Sequence, residues 1–278
     1  MNVTFASLTV AGALVLSTSA EVVVTLRGSE PEGAAVKVAN VGAGMASSTS
    51  ARFKSTKAVV NGVVETNRDF GQTFTTGAEA FVLDRITVKL GEQAIAASVF
   101  GAEVSVQIFE VSGSATVNDN GTKTGKLVPW SDDPRVDDFI EGETYAPLTL
   151  ARTGRLPAFL VPGQLMVFNF LKADRVKLKP KTQYGYLFMF DAAAPDRSLS
   201  FATVYWSDYS GGHAIRREIS ALADMAKRAA AQPTTKAGNK SDVFSDGIFW
   251  VEGSGAAATA SVVTSASPTD AWLPLPRR

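Results

Sequence analysis

Residues 104–108 read Val-Ser-Val-Gln-Ile, and every second residue of this stretch is apolar. Residues 86–90, Ile-Thr-Val-Lys-Leu, show the same alternation. Because successive side chains of a strand point to opposite faces of a sheet, a period of two indicates a strand that is buried on one face. This alternation predicts that the fold is built on β-strands.

Short runs rich in aromatic and β-branched residues predict further strands. At this length, and with turn residues bounding most of them, such runs favour buried strands over helices. Many short strands with frequent turns predict an all-β fold, an antiparallel β-sandwich of jelly-roll-like form. The runs are 165–171 (LMVFNFL), 184–190 (YGYLFMF), 199–206 (LSFATVYW) and 248–251 (IFWV).

One segment, residues 213–232, departs from the strand pattern. Its apolar residues recur three or four positions apart and charged residues fill the opposite side, which is typical of an amphipathic helix. Pro233 would end that helix. We therefore predict one amphipathic surface helix, packed on the sandwich through Ile215, Ile219, Leu222, Met225 and Ala229.

Composition excludes several function classes. The chain has 278 residues, with 27 Lys+Arg against 27 Asp+Glu, and this zero net charge argues against nucleic-acid binding driven by bulk electrostatics. The absence of cysteine excludes disulfides, thiolate nucleophiles and Cys-based metal sites. With a single histidine, His213, multi-histidine metal sites are excluded as well.

Catalytic motifs with fixed spacing are also missing. The sequence contains no GxSxG, GxGxxG, phosphate loop or HExxH, which removes the commonest hydrolases, NTPases and dinucleotide enzymes. Paired carboxylates have no fixed spacing in sequence, so a lyase or hydrolase acting on polysaccharide stays open as an alternative.

The N-terminus indicates export. An apolar run from Leu8 to Leu16 is followed by the small residues Thr18-Ser19-Ala20, as in a signal peptide, although an ordinary N-terminal strand or helix is the alternative. The run is too short to span a bilayer, which needs about 20 residues. We expect a secreted or cell-surface protein without an integral membrane segment. Its parts are a signal peptide (1–20), a flexible lead-in or edge strands (21–57), the β-sandwich (58–253) and an Ala/Ser/Pro-rich tail (254–278).

Two oxygen-rich loops are candidate calcium sites. Calcium prefers several carboxylate and carbonyl oxygens, but neither loop has the spacing of an EF-hand, and solvated turns between strands are the simpler interpretation. No other cofactor is indicated. The loops contain Asn118-Asp119-Asn120-Gly121 and, as candidate metal ligands, Asp132, Asp133, Asp137 and Asp138.

An aromatic group at the end of a predicted strand is the candidate carbohydrate site. The C–H face of a sugar packs on flat rings while its hydroxyl groups take polar partners. The alternative is that two of the three rings belong to the core and the following glycine pair forms a turn; Tyr209 is the ring expected to be exposed. One interpretation of His213 is a general base, and the alternative is a histidine in a loop or at the start of a helix. Trp130 is a second, weaker candidate for contact with a sugar. The candidate carbohydrate-binding residues are Trp206, Tyr209, Asp208, His213 and Tyr205.

The ordered set of motifs from about residue 65 to 253 resembles exported bacterial jelly-roll domains that precede C-terminal surface-sorting (PEP-CTERM-like) tails. The motifs are GQTFTTG (71–77), FVLDRITV (81–88), VQIFEV (106–111), VKLKPKTQY (176–184), Ser210-Gly211-Gly212 and the closing segment from Ser241 to Gly253. The resemblance implies a non-catalytic extracellular module. The sorting tail itself is missing, since the chain ends WLPLPRR, and we therefore expect free secretion.

Three functions follow from the sequence. The leading one is a secreted, non-catalytic β-sandwich that binds a polysaccharide or cell-surface glycan, or serves as a surface module. The alternatives are a polysaccharide lyase or hydrolase and a self-associating structural exoprotein. Neither the glycan nor the oligomeric state can be read from the sequence.

Overall fold

The computed structural model describes residues 20–42, 45–56, 59–60, 63–64, 66–118, 138–171, 175–205, 209–219, 225–233, 235–237 and 245–255. The strands are β1 (Ala20–Arg27), β2 (Val36–Asn40), β3 (Met45–Arg52), β4 (Val59–Val60), β5 (Val63–Val64), β6 (Asn67–Thr75), β7 (Phe81–Lys89), β8 (Val104–Asn118), β9 (Asp138–Thr153), β10 (Leu165–Phe170), β11 (Lys177–Leu178), β12 (Gln183–Phe190), β13 (Ser198–Tyr205), β14 (Ala214–Ile219), β15 (Thr235–Ala237), β16 (Ser245–Gly247) and β17 (Phe249–Ser254). The helical elements of this described part are α1 (Met225–Ala230) and a 3-10 turn at Ala97–Val99.

Antiparallel pairing dominates these strands. Along the large sheet the order is β16-β13-β3-β6-β12-β8-β9-β1-β10-β7-β17-β2, with β11, β14 and β15 paired at its side, while β4 and β5 form a separate hairpin. The pairing of β1 with β9 is parallel. The fold is therefore the mostly antiparallel all-β sandwich that the strand patterns predict.

Ring contacts across the interior show that the large sheet folds back on itself. Phe74 of β6 lies 6.3 Å from Phe249 of β17, and Phe168 of β10 lies 5.8 Å from Phe188 of β12, measured between ring centroids. In both pairs the strands are far apart in the hydrogen-bonding order. The sheet thus forms two layers with an aromatic core between them.

The burial of strand β12 on both of its faces explains why residues 184–190 are an almost continuous apolar run. Its even-numbered residues, such as Tyr186 and Phe188, enter the main core, whereas Leu187 and Met189 belong to a second buried cluster on the outer face of the same layer. A strand covered on both faces loses the polar half of the alternation. The other predicted strands are confirmed as well. The runs at 86–90, 104–108, 165–171, 199–206 and 248–251 coincide with all or part of β7, β8, β10, β13 and β17. The burial on one face only that is predicted for 86–90 and 104–108 is wrong, because Thr87, Ser105 and Gln107 are also buried, each with a hydrogen-bond partner.

The helix predicted over 213–232 is wrong in its first half. Residues 214–219 form β14, which pairs with β6 from Ala214 opposite Gln72 to Ile219 opposite Asn67. Two residues four positions apart, such as 215 and 219, share one face of a strand as well as one side of a helix, so the spacing fits both structures. Pairing with β6 and burial on both faces decide for the strand. The helical part is the short α1, and residues 220–224 lie outside the described part.

The segment before residue 58 contributes three strands to the large sheet. β2 stands at the edge of the sheet, and β1 and β3 each have strand neighbours on both sides. Residues 1–19, where the signal peptide is predicted, and the tail beyond residue 255 lie outside the described residues. Within the described part of the chain, no helix combines the length and apolar character needed to cross a bilayer.

Candidate functional site

Two threonines of β6 fasten the turn at residues 209–213 to the sheet. The Thr75 hydroxyl donates to the Gly211 carbonyl at 2.8 Å, and the His213 backbone N–H donates to Thr73 Oγ1 at 2.8 Å. The Thr73 N–H donates in turn to the His213 carbonyl at 2.8 Å. Gly212 is needed here, because a Cβ at this position would lie 2.1 Å from the Thr73 carbonyl oxygen. The turn is thus held against β6 at both ends.

Tyr209 is half-buried, in contrast to the exposed ring that the sequence predicts. Its ring packs edge-to-face on Phe249, with the ring centroids 5.6 Å apart, and joins the margin of the main core. Burial raises the pKa of its phenol far above the ordinary value, and the charge of Asp246 adds to the shift. The ring passes so close to Gly211 that a Cβ there would lie 2.6 Å from the hydroxyl oxygen. Tyr209 therefore helps to hold the turn against the core.

His213 lies between two oxygen acceptors. Its Nε2 is 2.7 Å from Oε2 of Glu143, and its Nδ1 is 3.0 Å from the carbonyl oxygen of Ala214. The Glu143 side chain is only 2% exposed and that of His213 11%. Both ring nitrogens can donate at once only in the imidazolium form. The geometry therefore fits a protonated His213 paired with an ionised Glu143.

Glu143 also binds two neutral side chains. The Tyr145 hydroxyl donates to Oε2 at 2.6 Å, and Gln183 Nε2 donates to Oε1 at 3.0 Å. One carboxylate therefore joins β9, the first residue of β12 and the residue that precedes β14. We call Glu143, Tyr145, Gln183 and His213 the Glu143 cluster.

The pKa values of the pair shift in opposite directions. Burial disfavours the charged imidazolium, but the hydrogen bond and the charge of Glu143 outweigh it, with help from the Ala214 carbonyl and Asp246, and the pKa of His213 is raised. Burial likewise opposes ionisation of Glu143, but His213, and after it Tyr145, outweigh this effect and lower the pKa of the carboxyl. Each partner thus stabilises the charged form of the other.

The structure brings two of the five candidate carbohydrate residues together. Tyr209 and His213 lie in one turn. Tyr205 ends β13, where its backbone pairs with Met45 and Ser245. Trp206 and Asp208, as well as the weaker candidate Trp130, lie outside the described residues. Whether these side chains contact a sugar stays a prediction.

The candidate calcium loops fall mostly outside the described residues. Asp138 begins β9, and Asn118 ends β8 opposite Phe139. The stretch from 119 to 137, with Asp132, Asp133 and Asp137, is not described. Among the side chains that the structure does describe, no group of three or more is arranged to hold a metal ion.

Glu143 is the partner of His213 that sequence reasoning misses. It lies 70 positions from His213, and their contact depends on the register between β9, β8 and β12. A carboxylate in a polar stretch carries no mark of such a role, so only the folded sheet identifies it.

Comparison with known proteins adds no relative. No family model matches the chain, and neither the curated proteins nor the solved structures contain a significant match to it.

Proposed function

We propose that the protein is an extracellular, non-catalytic β-sandwich module that binds carbohydrate. The resemblance to exported jelly-roll domains and the signal-peptide pattern at 1–20 support export, and the sandwich supports a module of the binding type. The sugar contact that the sequence favours is the segment from Tyr205 to Tyr209.

The anchoring of this segment at both ends is the observation that carries the proposal. At one end Tyr205 is held in β13 by two neighbouring strands. At the other end Tyr209 packs on Phe249 and the turn behind it is fastened to Thr73 and Thr75. Only three residues separate these anchors. Both described ends that flank Trp206 are thus held by the sheet, and recognition is favoured when a contact is carried by rigid elements.

The hydrogen bonds within the Glu143 cluster support a non-catalytic role. A general acid or base must reach the substrate within hydrogen-bonding distance. Glu143 instead accepts hydrogen bonds from three side chains, and the side chains of both Glu143 and His213 are almost wholly buried. These groups serve to join strands.

Retention on immobilised polysaccharides tests the proposal. The wild-type chain should be retarded by at least one member of a panel of neutral and acidic polysaccharides, and Trp206→Ala should lose the retardation while keeping the wild-type melting temperature. Ser210→Ala, at an exposed position of the neighbouring turn, is the matched control and should bind as the wild type does. Absence of retardation on every polysaccharide would overturn the proposal.

The catalytic alternative has its own readout. A tyrosine and a histidine that both lie within 2.7 Å of one carboxylate are groups that a polysaccharide lyase or hydrolase could use. Release of unsaturated or reducing sugars by the wild type, abolished in Glu143→Gln, would replace the binding proposal with an enzymatic one.

A further inference from the structure

The loop between β9 and β10 exposes one aromatic ring at the end of the sandwich opposite the Glu143 cluster. Phe159 is 69% exposed, and it is the only aromatic among the large hydrophobic residues that are exposed in the described part of the chain. The leucines Leu156 and Leu160, on either side of it in the same loop, are buried in the main core. The loop therefore buries its leucines and leaves its phenylalanine outside.

Backbone hydrogen bonds hold this loop in place. The Leu156 N–H donates to the Ala102 carbonyl at 2.8 Å, and the Gly101 N–H donates to the Pro157 carbonyl at 3.3 Å. These bonds join the loop to the connection between β7 and β8. With its leucines buried and its backbone paired, the loop is fixed, and the exposure of Phe159 is a property of the folded state.

The ring of Phe159 rests on a second ring of the joined connection. Phe100 and Phe159 stack at 26° between ring planes, with their centroids 6.4 Å apart. The Phe159 ring thus lies beside a second ring and keeps most of its own area exposed. We call this pair the Phe100–Phe159 ledge.

Polar groups of opposite charge stand on the same two segments. Arg155 Nε lies 3.9 Å from Glu103 Oε1, and the two side chains are 75% and 60% exposed. Arg155 precedes Leu156, and Glu103 follows Ala102, so the pair flanks the backbone bond that joins the segments. It supplies hydrogen-bond donors and acceptors with no net charge.

We propose that the Phe100–Phe159 ledge is a carbohydrate contact that takes the C–H face of one sugar unit of a neutral polysaccharide, with Arg155 and Glu103 serving its hydroxyl groups. The proposal rests on the carbohydrate-binding function proposed above. An exposed flat ring, with an exposed Arg–Glu pair of no net charge on the same two segments, offers both kinds of contact that a sugar needs.

The size of the exposed apolar surface argues against a protein partner. In the loop between β9 and β10 the exposed large apolar side chains are those of Phe159 and Val161, whereas a stable protein interface buries about 800 Å² on each partner. A single phenyl ring matches a single sugar unit, which is why the proposal commits to a polysaccharide and not to a second copy of the chain.

The test compares Phe159→Ala with Leu148→Ala, which truncates another exposed apolar side chain away from the ledge. Binding is measured by affinity electrophoresis in gels containing a neutral mannan, a neutral β-glucan or, as the acidic probe, alginate. Phe159→Ala should weaken binding to a neutral polysaccharide about tenfold, the ratio expected for one lost stacking contact, at an unchanged melting temperature. Leu148→Ala should bind as the wild type does. If Phe159→Ala lowers the melting temperature, Phe159→Leu serves in its place, because it keeps an apolar side chain but removes the flat ring. Its affinity for the neutral polysaccharide should fall by the same factor.

The outcomes separate the two proposals. Wild-type binding that survives in Phe159→Ala and is lost in Trp206→Ala overturns the ledge and leaves the proposed function standing. Preferential binding to alginate by the wild type overturns the neutral ligand. Failure of the wild type to bind any polysaccharide overturns both proposals. A Phe159-dependent association with phospholipid vesicles, or between copies of the chain in gel filtration, in place of sugar binding would assign the ledge to a different occupant and overturn it.

Discussion

Replacing His213 with glutamine should remove most of the pH dependence of folding stability in the neutral range. His213 is the only histidine, and the chain has no cysteine, so no other side chain has an ordinary pKa near neutrality. Its imidazolium donates to Glu143 at 2.7 Å and to the Ala214 carbonyl at 3.0 Å. A glutamine side chain in its place would keep a donor of similar reach but would carry no charge and no titratable proton.

The direction of the effect follows from the two pKa shifts. The pKa of His213 is raised above its ordinary 6.5, so the folded state holds a proton that the unfolded state has lost. The contribution of His213 is thus complete below pH 6.5 and disappears as the pH rises through the folded pKa. Between these limits the free energy of unfolding falls by at most about 1.4 kcal/mol per pH unit, since one proton is involved. Glu143, whose pKa is lowered below 4.5, contributes above that value and loses its contribution in acid.

Urea unfolding from about pH 5 to about pH 9, in steps of half a unit, measures these slopes. At about pH 6, His213→Gln should be less stable than the wild type by about 1.5–3 kcal/mol, the range for a hydrogen bond to a charged group. The difference should shrink at the alkaline end. The α-amino group, with a pKa near about 8, titrates equally in both proteins and cancels in the comparison. Parallel pH profiles for the two proteins would refute the ion pair.

Three further predictions concern the stability of the folded protein. Gly71→Ala should destabilise the protein by about 3 kcal/mol or more, because a Cβ there would lie 1.6 Å from a backbone oxygen of β12. Gly77→Ala, with open space around it, is the control, and its free energy of unfolding in urea should stay within about 0.5 kcal/mol of the wild type. Asp69→Asn should cost about 3–5 kcal/mol in the same assay, because Arg217 and Arg228 are both buried against that carboxylate, and a loss below about 1 kcal/mol would contradict this. Calcium and chelator should leave the melting temperature unchanged, and a melting temperature that falls on adding chelator would support calcium binding at the candidate loops.

The strands can be predicted because their signal is local. The alternation at 86–90 and 104–108 correctly predicts strands, which are parts of β7 and β8, but it does not report their burial, because Thr87, Ser105 and Gln107 are buried as well. The first half of the predicted helix shows the limit of the same reasoning. The apolar spacing at 215 and 219 fits two periods, and the decision for β14 comes from β6, which pairs with it from about 140 residues earlier in the chain. No local window contains that information.

Charged residues mislead the interpretation for a related reason. The helical pattern places Arg216 and Arg217 on the solvent side, yet both are buried in β14. Arg217 Nε donates to Asp69 at 2.9 Å and its Nη1 to Gln107 at 2.9 Å, and Arg228 of α1 reaches the other oxygen of Asp69. A guanidinium group can be buried when a carboxylate and several acceptors surround it. Those partners come from β6, β8 and α1, so their assembly depends on the finished topology.

The candidate site also has one part that the local sequence predicts and one part that depends on the fold. The turn at 209–213 is recognisable from its glycines, and the structure confirms a turn at Ser210-Gly211. The role of His213 is not recognisable from its neighbours, because it is set by Glu143 from another strand.

The two ends of β12 differ in what they offer to a ligand. At its first residue, Gln183 donates to Glu143, and the polar side chains there are hydrogen-bonded to one another within the sheet. At its other end, the Asp191 N–H donates to the Glu103 carbonyl at 3.0 Å, next to the loops that carry the Phe100–Phe159 ledge. A strand of eight residues separates the two regions by roughly 23 Å. At that distance, perturbations of the Glu143 cluster and of the ledge should act independently, so loss of the ion pair reports on folding and loss of the ring reports on binding. The His213 ion pair is therefore tested through stability and the Phe100–Phe159 ledge through binding, while Trp206→Ala tests the segment from Tyr205 to Tyr209 separately.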